Sequence, residues 1–343
     1  MATGALVAAG FAVDAKAVDV ELYGQVNKTV ISADNGTNSE VTFSDNDKSS
    51  TRVGLKGEQA LDNGLTASVL VEYELNGNAS NGDLQAVSSS ASTLTERHAR
   101  VGLAGAFGAV HVGHTSTATD GIAEIDMAGV SDILGSDITD FGGATNFVNA
   151  ATKASSGVKV SDVFKNFDGG RGDAIAYHSP VIAGFQGQAS TSEGGDIQTA
   201  VRYSGKYDAF AVKAGLGYEM MNNASAGNSE SLLAGSVTVK HDSGLAGTVA
   251  YGKEGNESGA EASSVYVKAG YAWDAFEVAA DYAKFDSDAS NKREGKAYGF
   301  GGQYNLGHGV SLAGAYRSLA VDDNTAVSYD DIDLIMANLR VKF

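Results

Sequence analysis

The chain carries 42 acidic, 24 basic and 6 histidine side chains, the groups whose types could do chemistry. Their spacing does not suit catalysis. His111 and His114 lie three apart; on a strand that sends the two rings to opposite faces, so they cannot share one metal. The sequence holds no Gly-x-Ser-x-Gly, His-Glu-x-x-His or phosphate-binding loop, so no nucleophile, zinc-activated water or nucleotide cradle is readable. Cysteine is absent, which removes disulfides and thiolate metal sites. Arg171-Gly172-Asp173 spells an adhesion tripeptide, but three residues recur by chance and these open a predicted strand. A formal net charge of -18 excludes nucleic acid as a partner, because phosphate contacts need a basic face. What remains is electrostatic chemistry: fixed charges that attract, repel and orient ions and polar solutes.

The elements that must position those charges are strands. The chain ends in an alternating segment, 338–343, whose last residue is Phe343, and strands of the same texture recur back to Glu21. In 265–273 one row is Val265, Val267, Ala269, Tyr271 and Trp273, and the other is Tyr266, Lys268, Gly270 and Ala272. In 210–218 Phe210, Val212, Ala214, Leu216 and Tyr218 alternate with Ala211, Lys213, Gly215 and Gly217. The apolar row is expected against lipid and the other toward water, the pattern of a closed β-barrel in a bacterial outer membrane. The chain has 44 Gly and a single Pro, Pro180, as crowded walls and unbroken ladders require. No run of 18 apolar residues offers a transmembrane helix. Phe107, Phe185, Tyr207, Phe210, Trp273 and Phe276 sit near short turns, where an aromatic girdle would lie. Residues 5–13 and the following Ala15-Lys16-Ala17 read as an apolar region and cleavage site. Residues 1–17 are thus expected to be a signal-peptide remnant and 18–343 the barrel; an ordered N-terminal strand is the alternative.

Seven short connections carry Gly, Pro, Asn or Asp, residues that tolerate turn dihedrals. Their centres fall at 62, 107, 182, 208, 242, 274 and 308, leaving spacings of 45, 75, 26, 34, 32 and 34. Seven turns join fourteen strands, and 21–33 and 331–343 add one at each end. The sequence therefore predicts an all-β, 16-stranded antiparallel transmembrane barrel. The spacing of 75 leaves a long loop after strand five, at 115–172. A loop of that length in a compact fold is usually functional, and a barrel of this size has a water-filled lumen to receive it.

These segments resemble the general porins of Gram-negative bacteria over nearly all of 18–343. Val20-Glu21-Leu22-Tyr23-Gly24-Gln25-Val26 resembles the opening strand. Thr51-Arg52-Val53-Gly54-Leu55-Lys56-Gly57-Glu58 with Asn63-Gly64-Leu65 resembles the second strand and turn. Arg97-His98-Ala99-Arg100-Val101-Gly102-Leu103, Asp140-Phe141-Gly142-Gly143, and Gly170-Arg171 with Tyr177-His178-Ser179-Pro180 follow in porin order. The resemblance implies a homotrimer in outer-membrane lipid and lipopolysaccharide, with no enzymatic activity and no cofactor. It implies an inward third loop whose carboxylates, Asp140 with Asp137 behind it, oppose a basic wall of Arg52, Arg97 and Arg171. Gln25, Lys56, Glu72, Glu124 and Asp126 are expected to line the pore beside them. The alternative is that these arginines pair only with local carboxylates.

Gln25 stands where many porins carry Lys, and His114 where the family usually has Arg. The thinner basic wall and the acidic loop predict a modestly cation-selective channel for small hydrophilic solutes and ions. A substrate-selective channel and a structural or adhesive barrel are the alternatives. Arg100, three residues from Arg97, is expected to point outward, into a subunit interface formed by strands one to five. The acid-rich stretches 44–47, 286–288 and 322–323 are predicted on extracellular loops. They could hold Ca²⁺ or Mg²⁺ loosely, and are otherwise a solvated surface.

Overall fold

The computed structural model describes residues 18–86, 92–165, 167–222, 229–256, 259–288 and 292–343; the expected signal segment, 1–17, lies outside them. The strands are β1 (Asp19–Asp34), β2 (Ser39–Asp45, resuming at Arg52–Ala60), β3 (Thr66–Asn76), β4 (Thr93–Gly105), β5 (Gly108–Ser116), β6 (Arg171–His178), β7 (Phe185–Ser192), β8 (Ile197–Tyr207), β9 (Phe210–Met220), β10 (Ser229–His241), β11 (Leu245–Asn256), β12 (Glu261–Trp273), β13 (Phe276–Ser287), β14 (Glu294–Gly307), β15 (Val310–Asp322) and β16 (Ile332–Lys342). Each pairs antiparallel with its neighbours in sequence. β16 also pairs with β1, from Gln25↔Lys342 to Asp34↔Asp333, which closes the 16-strand barrel.

All seven short turns fall where the sequence predicts them. In two of them Asp208 and Asp274 adopt φ of 51° and 48°, a conformation that Asp tolerates better than most residues. That is why Tyr207-Asp208-Ala209-Phe210 and Trp273-Asp274-Ala275-Phe276 look like one motif used twice. The lipid face is the predicted one. Val265, Val267, Tyr271 and Trp273 are exposed on the outside of β12, and Phe210, Leu216 and Tyr218 on β9. The girdle forms too: the Trp273 and Phe276 rings stack at 5.7 Å, and Phe276 meets Tyr304 at 4.6 Å.

Three features depart from the sequence reading. The long loop spans 117–170, because Thr115↔Gly172 and Ser116↔Arg171 still pair. β2 is broken: residues 46–51 leave the wall and fold inward around a short 3₁₀ turn, Asp47–Ser49. The acidic stretch 44–47 is therefore part of a strand and of this inward insertion, not of an extracellular loop. Finally, the inner face of the barrel is partly apolar. Ile31, Leu232, Phe285, Leu319, Ile332, Leu334 and Met336 point inward and are buried.

The closing seam makes a direct prediction. Phe343 exchanges backbone hydrogen bonds with Gly24 at 3.0 Å each way. A Cβ at Gly24 would lie 2.6 Å from the Arg52 carbonyl oxygen and 2.7 Å from the Phe343 ring. Gly24→Val should destabilise closure by at least ~2 kcal/mol, the scale of overpacking in a tight site. In cold detergent gels the wild type should migrate as a compact, heat-modifiable form, and the variant should lose much of that band.

Candidate functional site

The loop 117–170 lies inside the barrel, and its first third travels around the wall. Each strand from β7 to β16 supplies at least one polar contact to it. Ser190 on β7 accepts from the Ala118 N–H, and Arg202 on β8 donates to the Asp120 carbonyl. Glu219 on β9 accepts from the Thr119 hydroxyl at 3.0 Å. On β10, Ser236 and Thr238 accept from the Ile125 and Met127 N–H groups. Thr248 on β11 donates to Asp126, and Lys268 on β12 binds the other oxygen of Asp126 at 2.7 Å. Glu277 on β13 takes the Val130 N–H at 2.8 Å, and Gln303 on β14 the Asp132 N–H at 3.4 Å. Ser311 on β15 donates to Asp132, and Arg340 on β16 pairs with it at 2.6 Å.

The rest of the loop folds back over this tier as a small apolar unit. Ile133, Phe141, Phe147, Val160, Val163, Phe164 and Phe167 are buried together with the apolar inner wall. Residues 146–149 and 155–159 pair as a small sheet with Tyr329–Asp330 of the last extracellular loop. The Phe167 and Phe285 rings stack at 5.5 Å. The two ends of the loop meet, with the Thr117 N–H donating to the Gly170 carbonyl at 3.0 Å. Wall glycine is required in places: a Cβ at Gly270 would run into the Ala128 carbonyl, and one at Gly252 into Phe167.

On the side of β2–β4 the predicted site residues separate into two groups. Arg97 binds Glu72 through Nε and Glu74 through one terminal nitrogen, both at 2.7 Å, and Arg52 reaches Glu72 at 3.6 Å. The local pairing of these arginines is thus the arrangement formed. Asp140 does not contact them. Its cation is Lys48, on the inward insertion, at 3.8 Å. Asp137 turns back on its own loop, accepting from the Thr139 N–H and hydroxyl at 2.8 and 2.6 Å. Arg171 pairs with Asp120 at the loop's root, at 3.5 Å. Gln25, expected to line the pore, is 3 % exposed and donates to the Ser49 and Ser50 carbonyls, pinning the insertion. Lys56 pairs with Glu21 at 3.3 Å, and Asp126 is taken up by Lys268. Glu124 borders a small cavity with Lys48 and Arg340. Among the described residues no three His, Asp or Glu converge as metal ligands.

Sequence reasoning missed two residues. Lys48 directly follows 44–47, the stretch expected on an outer loop. Arg100 was expected outward, but β4 carries a bulge at Arg97: Glu72 pairs with His98 and Tyr73 with Glu96. The extra residue resets the alternation, so Arg97 and Arg100 both face the lumen. Arg100 contacts the inward His111, while Val101 and Leu103 take the outer face.

A closed barrel, a lipid-facing apolar belt, and a loop that fills part of a charged lumen define an outer-membrane β-barrel of the channel-forming kind. The chain belongs to the Gram-negative porin family, whose model matches residues 2–324. Among solved structures it is similar to an anion-selective porin from Comamonas acidovorans, with 17% identity, TM-score 0.67, and 95% and 100% of the two chains covered. It is also similar to the trimer form of OmpT, an outer membrane protein of Vibrio cholerae, with 14% identity, TM-score 0.63, and 95% and 100% covered. A third likeness is to Salmonella typhi OmpF in complex with daunomycin, with 16% identity, TM-score 0.57, and 94% and 98% covered. At these identities the likeness is one of fold. No curated protein sequence matches the chain.

The docking pattern predicts which substitution frees the loop. The Lys268 side chain is fully covered and has Asp126 as its ion-pair partner. Removing one partner of such a pair costs about 3–5 kcal/mol, because the other charge stays buried. Asp126→Ala should loosen the segment between Ile125 and Leu134, raising single-channel conductance and current noise in planar bilayers. Lys268→Met with Asp126→Leu, which removes both charges, should restore quiet current.

Proposed function

We propose that the chain is a passive diffusion channel for ions and small hydrophilic solutes, without enzymatic activity. The solute path runs between the inward loop and the inner face of β2–β6. The observation that carries this reading is the loop held to β7–β16, leaving Arg52 and Arg97 with Glu72 and Glu74 on the opposite arc. Paired charges along a narrow path give a local dipole more than a net field, so they order water and favour polar over apolar solutes.

The expected cation preference finds no support. It rested on loop carboxylates, and Asp120, Asp126, Asp132 and Asp140 each sit against a base. Burial first, and then Glu124, pushes Asp168 up to about 8, so much of its charge is absent at neutral pH. On the β2–β6 arc Arg100 has no carboxylate within ion-pair distance among the described residues, and Asp19 and Glu58 also lie inward without a basic partner there. Free charges of both signs line the path, and at ordinary salt only those within ~8–10 Å of an ion act on it. The channel should therefore discriminate weakly, with cation and anion permeabilities within about threefold, ~0.6 kcal/mol. Reversal potentials across a tenfold salt gradient measure this, and a ratio above ten of either sign would overturn it. Asp168 gives the pH dependence its sign. Its proton is lost as pH rises through about 8, adding a negative charge near Arg202, so the preference should move toward cations between pH 6 and 9. Asp168→Asn should flatten that change.

We also propose a homotrimer, supported by charges on the outer face of β1–β6. Lys28 is exposed on that face and pairs with the buried Asp45, and His114 lies 3.6 Å from Asp173 and 3.9 Å from Glu96. Charge facing acyl chains is costly, by ~2–4 kcal/mol for a base at mid-depth, and a second copy covers it. Cold detergent gels should show an oligomer that boiling collapses to the monomer; a single band indifferent to heat would oppose this.

A further inference from the structure

Below the Arg97 cluster, the periplasmic end of the inner wall holds an open cavity of about 530 Å³. Two adjacent cross-strand rows build it. In one, Asp19 stands opposite Glu58, and the row continues through Ser68 and Gly102 to His111. In the next, Glu21 stands opposite Lys56, followed by Leu70 and Arg100. Glu21 and Lys56 satisfy one another at 3.3 Å. The other charges are left over. Asp19 and Glu58 are like charges directly opposite, a destabilising pair that needs a cation between them. Arg100 needs an anion. One of its terminal nitrogens donates to His111 Nδ1, and its Nε is buried without a hydrogen-bond partner among the described residues. Because Arg can only donate, His111 Nδ1 accepts, and the ring's other nitrogen carries the proton and is a donor.

The floor between the two poles is kept low. A Cβ at Gly102 would overlap Ser68 Oγ and His111 Nδ1, so glycine there lets the imidazole lean toward Ser68. Two strand spacings of ~4.8 Å separate Glu58 from Arg100, and both side chains reach inward from their backbones. The remaining gap suits a small solute carrying both signs of charge. A lone anion would satisfy Arg100 and be repelled by Asp19 and Glu58; a lone cation would meet the reverse.

We propose that this cavity is a binding site for zwitterions of the amino-acid and short-peptide class, the carboxylate held by Arg100 and His111 and the ammonium by Asp19 and Glu58. It rests on the channel reading only for access to the lumen. Diglycine is a suitable probe, with acetate and methylammonium as single-charge controls. Diglycine added to the periplasmic side of the reconstituted full-length channel should produce brief current blockades. Arg100→Gln, and separately Asp19→Asn with Glu58→Gln, should weaken its apparent affinity by about tenfold, the loss expected for one charge-assisted contact. Calorimetric titration of the detergent-solubilised protein with diglycine reads the same site without conduction. A wild type that conducts no current fails the channel reading, whereas the titration decides the site. Equal blockade by acetate, or wild-type affinity in Arg100→Gln, would overturn the proposal.

Discussion

Ten consecutive strands each hand at least one polar group to the same loop, and the remaining structure follows from that attachment. A barrel this wide has an inner surface that must face water or protein. Here β7–β16 face protein. Asp126 and Asp132 do the most, each tying the loop to two neighbouring strands, through Thr248 and Lys268 and through Ser311 and Arg340. These pairs lie deep, where a missing partner is far more costly than at a surface. With the first tier fixed, the apolar second tier has a platform, and residues such as Phe147, Phe164 and Phe167 bury against inward Ile31, Phe285 and Leu334. The loop is thus a folded unit with its own core rather than a strap across an empty tube.

That attachment also explains the distribution of charge. An acidic loop inside a wall with many bases suggests a field of one sign. Docking consumes the charges in pairs instead. The loop's carboxylates meet Arg171, Lys268, Arg340 and Lys48, while Arg52 and Arg97 are met by Glu72 and Glu74 from the neighbouring strand. The net charge of the chain, -18, therefore says little about the path itself. Local geometry decides, because screening limits each charge to its neighbourhood.

The barrel was legible in the sequence because its signals are local. Turn residues mark seven hairpins, alternation marks the faces, and Phe343 marks the seam. The long loop was legible by length alone. The site was less so, for two physical reasons. Parity along a strand holds only until a bulge: one extra residue at Arg97 brought Arg100 into the lumen. And an insertion inside a strand resembles a loop between strands, so Lys48 and the role of Gln25 in pinning residues 46–51 stayed hidden. A faint signal existed. Ser39–Asp45 and Arg52–Ala60 both alternate, with only six residues, 46–51, all of them polar, between them.

The inward apolar residues are the third case, and they show why alternation alone underdetermines a barrel of this type. Ile31 and Ala33 at the top of β1, and Ile332, Leu334 and Met336 on β16, alternate with equally apolar outward residues such as Val30, Ile335 and Leu339. A strand buried on both faces reads as a continuous apolar run, so the pattern cannot say which side meets lipid. Only the partner resolves it. Where an inward residue is apolar, the loop's second tier must cover it; where it is charged, as along β2–β5, solvent can remain. The boundary between those two kinds of inward residue is the boundary between the filled and the open part of the lumen.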